Sequence, residues 1–99
     1  MSMEMYAIRR RGCWRSPEET REAGERSTRV AEEMSDDVRW IRSYVLEEAD
    51  GMIGSICIYR ASSPEAIREH GSRAHVPVDE VTQVGDTVIV NADPQDAVA

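Results

Sequence analysis

The chain has 99 residues, of which 40% are hydrophobic and 31% charged, and its formal net charge is −7. This length predicts a single domain over residues 1–99, and the composition is typical of a folded protein rather than a disordered one. The acidic balance argues against nucleic acid and against an anionic membrane surface as partners. No apolar run is long enough for a bilayer and the first seven residues do not resemble a signal peptide, so we expect a cytoplasmic protein.

The chain is predicted to begin with a strand and a helix. Residues Met5–Arg11 predict a first strand that ends at Gly12. Ser16-Pro17 predicts a helix start, because serine accepts hydrogen bonds from free backbone N–H groups and proline suits the first helical position. Small and apolar residues then recur at helical spacing over residues 20–34, so we expect this helix to pack closely on the rest of the domain.

The next two strands are predicted to form a hairpin. Val38–Glu47 and Ile53–Arg60 are rich in aromatic and β-branched residues, and Asp50-Gly51 between them is typical of a two-residue turn. With that loop, Ala49 lies opposite Met52 and the other pairs follow. The predicted pairs are Tyr44 with Cys57, Arg42 with Tyr59, and Val45 with Ile56.

A second helix and a last strand complete the pattern. Ser63-Pro64 predicts the helix start by the same reasoning, and Gly71 is a candidate for an early end. Residues 80–90 predict one or two final strands, and residues 1–4 and 91–99 are expected to fray. The order strand, helix, strand, strand, helix, strand predicts an α+β ferredoxin-like sandwich, with an antiparallel sheet and both helices on one face.

The other face of this sheet must meet solvent, a ligand or another subunit. Side chains alternate between the two faces of a strand, and we expect the helices to cover the face that carries the aliphatic residues of the hairpin. Arg9 joins the open face if Ile8 points to the core. The open face is then predicted to carry Arg9, Trp40, Arg42, Tyr44, Cys57 and Tyr59.

This aromatic and charged face has two interpretations. Aromatic and arginine side chains anchor many protein interfaces, so the face is predicted to pair with a second copy in a homodimer or larger homo-oligomer. Aromatic rings also line ligand cavities, in which Arg9 and Arg42 would bind the charged group of a small anionic or aromatic ligand. The two interpretations are compatible, because a pocket can form between paired sheets.

Several stretches of the chain resemble a family of small bacterial proteins of unknown function that has a nickel-binding branch. The resemblance extends from Met5 to about Ile89. It implies a ferredoxin-like fold, association through the sheets, and nickel or another divalent metal as cofactor. The matching stretches are Val38–Val45, Cys57–Tyr59, Ser63–His70 and Val78–Val84.

Three positions depart from the pattern of this family. Its members often carry histidine where this chain has Arg42, and glutamate where it has Arg9 and Gln83. Nickel favours imidazole, thiolate and carboxylate donors, whereas a neighbouring arginine would repel it. The donors that remain for a metal are Cys57, Tyr44, Tyr59 and His70, and of these we predict Cys57 and His70 as metal ligands.

Each of these residues also has an ordinary structural interpretation. His70 lies on the apolar side of the second helix, where a packed histidine is common, and it does not share a helix face with His75. Cys57 has no evident histidine or aspartate partner, so packing explains it better than catalysis. Three functions stay open: a dimeric binding protein for a metal or small anion, a cofactor-free α+β barrel enzyme that acts on an aromatic or acidic metabolite through a tyrosine or histidine, and a structural dimer without a ligand.

Overall fold

The protein, seen in a computed structural model that describes residues 2–94, is a four-stranded sheet with two helices. Its elements are β1 (Glu4–Trp14), α1 (Pro17–Glu33), β2 (Val38–Glu47), β3 (Ile53–Ala61), α2 (Pro64–Ala74) and β4 (Glu80–Gln83). The sheet is antiparallel, with the strand order β2-β3-β1-β4. The predicted ferredoxin-like α+β fold is therefore confirmed. In the described part of the chain, neither helix has the length and hydrophobicity that a membrane crossing requires.

Both helices begin where the sequence predicts. The Ser16 hydroxyl accepts a hydrogen bond of 3.2 Å from the backbone N–H of Glu19, and the Ser63 hydroxyl accepts one of 3.1 Å from Ala66. The early end at Gly71 was wrong, because α2 continues to Ala74. Gly71 is buried instead where the backbone passes close to Val78, and a side chain at this position would have no room.

The last strand is shorter than predicted. β4 ends at Gln83 rather than near residue 90. The backbone N–H of Val84 still donates to the carbonyl of Met5 at 2.9 Å, but β1 begins at Glu4, so the chain beyond Val84 has no strand left to pair with. Of the termini that were expected to fray, residues 1 and 95–99 lie outside the described residues.

The hairpin between β2 and β3 has a three-residue loop, residues 49–51, instead of the predicted two-residue turn. The backbone N–H of Glu48 donates to the carbonyl of Met52, and Gly51 adopts a positive φ of 84° at the end of the loop. The register is thereby shifted by one residue, and a bulge at residue 41 shifts it again. All three predicted pairs are wrong. The observed pairs are Tyr44 with Ile56, Ser43 with Cys57, Arg42 with Ile58, and Trp40 with Tyr59.

These shifts decide which face the helices cover. The helices pack on the face that carries Cys57 and Tyr59, and the prediction that they cover the aliphatic face was wrong. The helices contribute mainly small side chains to the core, such as Ala23, Ser27 and Ala66, so the sheet has to supply the volume. Large residues of the sheet fill this space, and Ile56 and Ile58 of β3 face the open side. The large sheet residues of the core are Tyr6, Ile8, Val38 and Tyr59, with Trp40 partly buried against them.

Candidate functional site

The predicted site does not lie on one face. The pairing places Arg9, Arg42 and Tyr44 on the open face of the sheet, next to Ile56 and Ile58. The other half of the predicted stripe lies beneath the helices, where its members are buried or partly buried. This second group is Trp40, Cys57 and Tyr59.

The two arginines on the open face already hold carboxylates of their own chain. Nη2 of Arg9 donates to both carboxylate oxygens of Glu48 at 3.0 and 3.2 Å. Nη1 of Arg42 donates to Asp93 at 2.8 Å, and the Tyr44 hydroxyl donates to the same oxygen at 2.7 Å. The arginines predicted to bind an anionic ligand are therefore engaged within the molecule.

The buried group forms an aromatic cluster under α1 and α2. The rings of Trp40 and Tyr59 are stacked, with centroids 5.9 Å apart and planes 10° from parallel. The Trp40 indole N–H donates to the Ser43 hydroxyl at 2.8 Å, and the rings of Tyr59 and His70 meet edge to face with their centroids 5.2 Å apart. A ring nitrogen of His70 is 3.0 Å from the carbonyl oxygen of Ser27 on α1. His70 is thus a packed histidine that links the two helices to the sheet.

Arg10 lies in the same buried layer and is only 2% exposed. Its Nη1 donates to the Cys57 sulfur at 3.1 Å, and the Ser55 hydroxyl lies 3.4 Å from that sulfur. Its Nε has no hydrogen-bond partner among the described residues. The sequence prediction passed over Arg10, although the alternation that buries Ile8 also buries the residue two positions later.

A cavity of about 120 Å³ opens beside this guanidinium, between the sheet and α1. It is well above the roughly 10–15 Å³ that one water needs, and below the ~300 Å³ of a pocket for a drug-sized molecule. Thr20, which is half-buried, and Val45, which is exposed, line the cavity and mark its entrance. The remaining lining residues include Arg10, Trp14, Ala23, Gly24, Trp40, Ser55, Cys57, Tyr59 and Val76.

Burial favours the neutral forms of Tyr59 and His70 in this cluster. It raises the pKa of the Tyr59 phenol well above its ordinary value, although the neighbouring Arg10 guanidinium opposes the shift. Burial also lowers the pKa of His70, against the effect of its hydrogen bond to Ser27. Cys57 contacts Arg10 and Ser55 rather than a histidine. The cluster therefore offers hydrogen bonds and a positive charge, but not the nucleophile and base pair of covalent catalysis.

The described residues do not form a metal site within one chain. They contain no group of three histidine, cysteine, aspartate or glutamate side chains placed to hold an ion. Of the two predicted ligands, Cys57 lies against the cationic Arg10, and His70 is bonded to a backbone carbonyl. Gln83 pairs with Tyr6 on the helix side of the sheet, opposite to Arg9 and Arg42. This donor set does not fit nickel.

A second concavity is a broad groove of about 950 Å³ along α1 and the free edge of β2. Its cations, Arg39, Arg42 and Arg60, are exposed, so water already solvates them. Charged groups at such a surface interact weakly with a small ligand. The buried cavity is therefore the better candidate site.

Comparison with known proteins agrees with the fold. A family model described as nickel responsive protein SCO4226-like matches residues 6–84. The crystal structure of SCO4226 from Streptomyces coelicolor A3(2) is similar, with a TM-score of 0.69 and 20% sequence identity. The match covers 85% of this chain and 99% of that chain. No curated protein matches the sequence.

Proposed function

We propose that this chain, which belongs to the SCO4226-like family of nickel-responsive proteins, is a binding domain for a small molecule held between its sheet and its helices. The observation that carries the proposal is the cavity of about 120 Å³ beside Arg10. Ligand sites are typically apolar spaces in which a few polar groups converge. Here apolar side chains line the cavity together with one guanidinium, one thiol and five hydroxyl-bearing residues, which are Thr20, Ser27, Ser43, Ser55 and Tyr59.

The sequence of α1 also favours an open space at this position. Protein interiors are close-packed and rarely leave room for more than a water molecule. Gly24 lies in the middle of α1 and lines the cavity, although glycine in a helix costs about 1 kcal/mol relative to alanine. An alanine methyl group would fit there, at 3.9 Å from the Trp40 ring. Gly24 therefore weakens the helix but leaves space next to the stacked rings of Trp40 and Tyr59.

The binding proposal is tested with two matched threonines of α1. Thr20 lines the cavity entrance and Thr28 does not line the cavity. Each donates from its hydroxyl to the carbonyl four residues earlier, at 3.1 and 2.9 Å. Unfolding temperatures are measured for wild type, Thr20→Leu and Thr28→Leu with a panel of small carboxylic acids, amides and alcohols. At least one compound class should stabilise wild type and Thr28→Leu but not Thr20→Leu, and the absence of any stabilising compound would refute the proposal.

Nickel is not the ligand that this cavity favours. A divalent cation beside Arg10 meets a like charge, and Cys57 is the one strong donor close to it. Calorimetry of the reduced protein with nickel, cobalt and zinc tests this point. We expect no binding that depends on Cys57 or His70, so wild type, Cys57→Ala and His70→Ala should give the same heats. Heat that disappears in either variant would show a metal site at these residues.

We also propose that the protein forms a homodimer through the open face of its sheet. On this face, Ile58 lies between Ala7 and Arg42, and Ile56 lies between Arg9 and Tyr44. An aliphatic centre with a charged rim is the usual pattern of a protein interface. Sedimentation velocity should show a dimer that Ile58→Asp dissociates. Val88→Asp, at an exposed aliphatic residue outside the sheet, is the control and should remain dimeric. If the Ile58→Asp variant still sedimented as a dimer, the proposed interface would be refuted.

A further inference from the structure

We infer that the ligand of the cavity is a short-chain carboxylate whose charge is paired with Arg10, an inference that rests on the proposed binding function. The cavity holds a cation that lacks an anion. None of the ion pairs among residues 2–94 includes Arg10, although the chain has 19 aspartate and glutamate residues. No acidic residue within this described range lines the cavity either.

A buried arginine without a counter-ion is unusual. Buried charges in proteins are normally paired, because removal of an ion from water costs more than the protein dipoles return. The other partly buried arginine of β1, Arg9, follows this rule through Glu48. Arg10 is more deeply buried than Arg9, and among the described residues it meets the Cys57 sulfur and the Tyr59 hydroxyl but no carboxylate. The structure thus keeps a buried positive charge in the lining of a cavity.

The free side of the guanidinium defines the ligand group. Nη1 is occupied by the Cys57 sulfur, and Nε is unpartnered and buried. Arginine binds a carboxylate through two parallel N–H groups, so a planar ligand group with two oxygens suits it. The ligand oxygens are therefore expected at the guanidinium, which lines the cavity together with Ser55 and Tyr59.

The rest of the cavity defines the size and polarity of the ligand. Its walls include the apolar side chains of Trp14, Ala23, Val45 and Val76. A hydrated inorganic ion would gain nothing from these walls, whereas a short hydrocarbon chain would leave water for an apolar surface. The volume of about 120 Å³ excludes large ring systems. A carboxylate with a few carbon atoms satisfies both the charge and the walls.

The test compares propionate with propionamide, which has nearly the same shape but no charge. Affinities are obtained at constant ionic strength from shifts of the unfolding temperature and from the indole N–H signals of Trp14 and Trp40. Wild-type protein should bind propionate at least tenfold more tightly than propionamide. Arg10→Met should remove at least a factor of ten in propionate affinity, whereas Arg39→Met, at an exposed arginine outside the cavity, should leave the affinity unchanged.

The possible results separate this inference from the proposed function. Equal binding of the two compounds, or propionate binding that survives Arg10→Met, overturns the inference but leaves a binding cavity. If the protein prefers alcohols or amides in the compound panel, the carboxylate inference is likewise overturned and the binding cavity is kept. If no compound binds, propionate included, both the carboxylate inference and the proposed binding function are refuted. The wild-type comparison between propionate and propionamide decides the matter even if Arg10→Met does not fold.

Discussion

Replacement of Arg10 by methionine should stabilise the ligand-free protein. Replacement of a buried ionic group by hydrophobic side chains is often neutral or stabilising by about 1–4 kcal/mol. Arg10 is 2% exposed and has no carboxylate partner in the described residues, so its charge is close to fully desolvated. The loss of its hydrogen bond to the Cys57 sulfur opposes this gain by about 1 kcal/mol. We therefore expect the free energy of unfolding to rise by up to about 3 kcal/mol and not to fall.

The assay is reversible urea unfolding of the reduced protein, in a buffer without carboxylates and at fixed protein concentration. For a domain of this size, ~1 kcal/mol corresponds to about 4–8 °C in the unfolding temperature, so calorimetry can confirm the result. Arg39→Met is the matched control, since Arg39 is exposed and its substitution should change stability by less than about 0.5 kcal/mol.

The opposite result would refute the reasoning. If Arg10→Met lowered the free energy of unfolding by about 2 kcal/mol or more, the charge would have to be compensated within the chain. Cys57 is the candidate for that role, because its sulfur is 3.1 Å from Nη1. A double-mutant cycle with Cys57→Ala measures the coupling directly, and an energy of 2 kcal/mol or more would assign the counter-ion to Cys57.

Three further predictions concern the same layer and its supports. Gly24→Ala should raise the free energy of unfolding by about 0.5–1 kcal/mol in urea titrations, because alanine favours the helix and its methyl group fits 3.9 Å from Trp40; a loss of stability would mean that this space is not available. His70 has a lowered pKa in the folded state because it is buried, so its contribution to stability is complete above about pH 6.5 and declines as the pH falls below that value. His70→Gln should remove this part of the decline. If the free energy of unfolding of wild type and of His70→Gln changed in parallel with pH, the lowered pKa of His70 would be contradicted. Ser63→Ala should cost about 1 kcal/mol in thermal unfolding, since it removes the cap on the backbone N–H of Ala66, whereas Ser63→Asn should cost much less.

Part of the candidate site was accessible from the sequence. Trp40, Cys57 and Tyr59 were expected to share a face, and the structure does place them in one layer. Arg10 could have been found by the same alternation, because Ile8 is buried and the residue two positions on follows it. It was missed because an arginine is seldom buried without a carboxylate, so a charged residue next to a predicted strand end is ordinarily assigned to solvent.

The rest of the site could not be predicted from local patterns. Asp50-Gly51 favours a two-residue turn, but the loop has one residue more, and that single residue exchanges the two faces of β2 relative to β3. The bulge at residue 41 then returns Trp40 to the side of Tyr59. Neither event has a sequence signal as strong as the turn itself. Arg42 and Tyr44 share one hydrogen-bond acceptor, Asp93, which lies 51 and 49 residues further along the chain.

The sequence by itself determined the order of the elements and both helix starts. Caps such as Ser16-Pro17 and Ser63-Pro64, and the hydrophobic period of each segment, act over a few residues and need no distant partner. The tertiary structure alone decided which side of the sheet the helices cover. That choice depends on the volume left by small helix residues such as Ala23 and Ala66, which only large side chains like Tyr59 can fill. The same packing took Arg10 out of water, and so produced a buried charge beside a cavity that no stretch of sequence shows on its own.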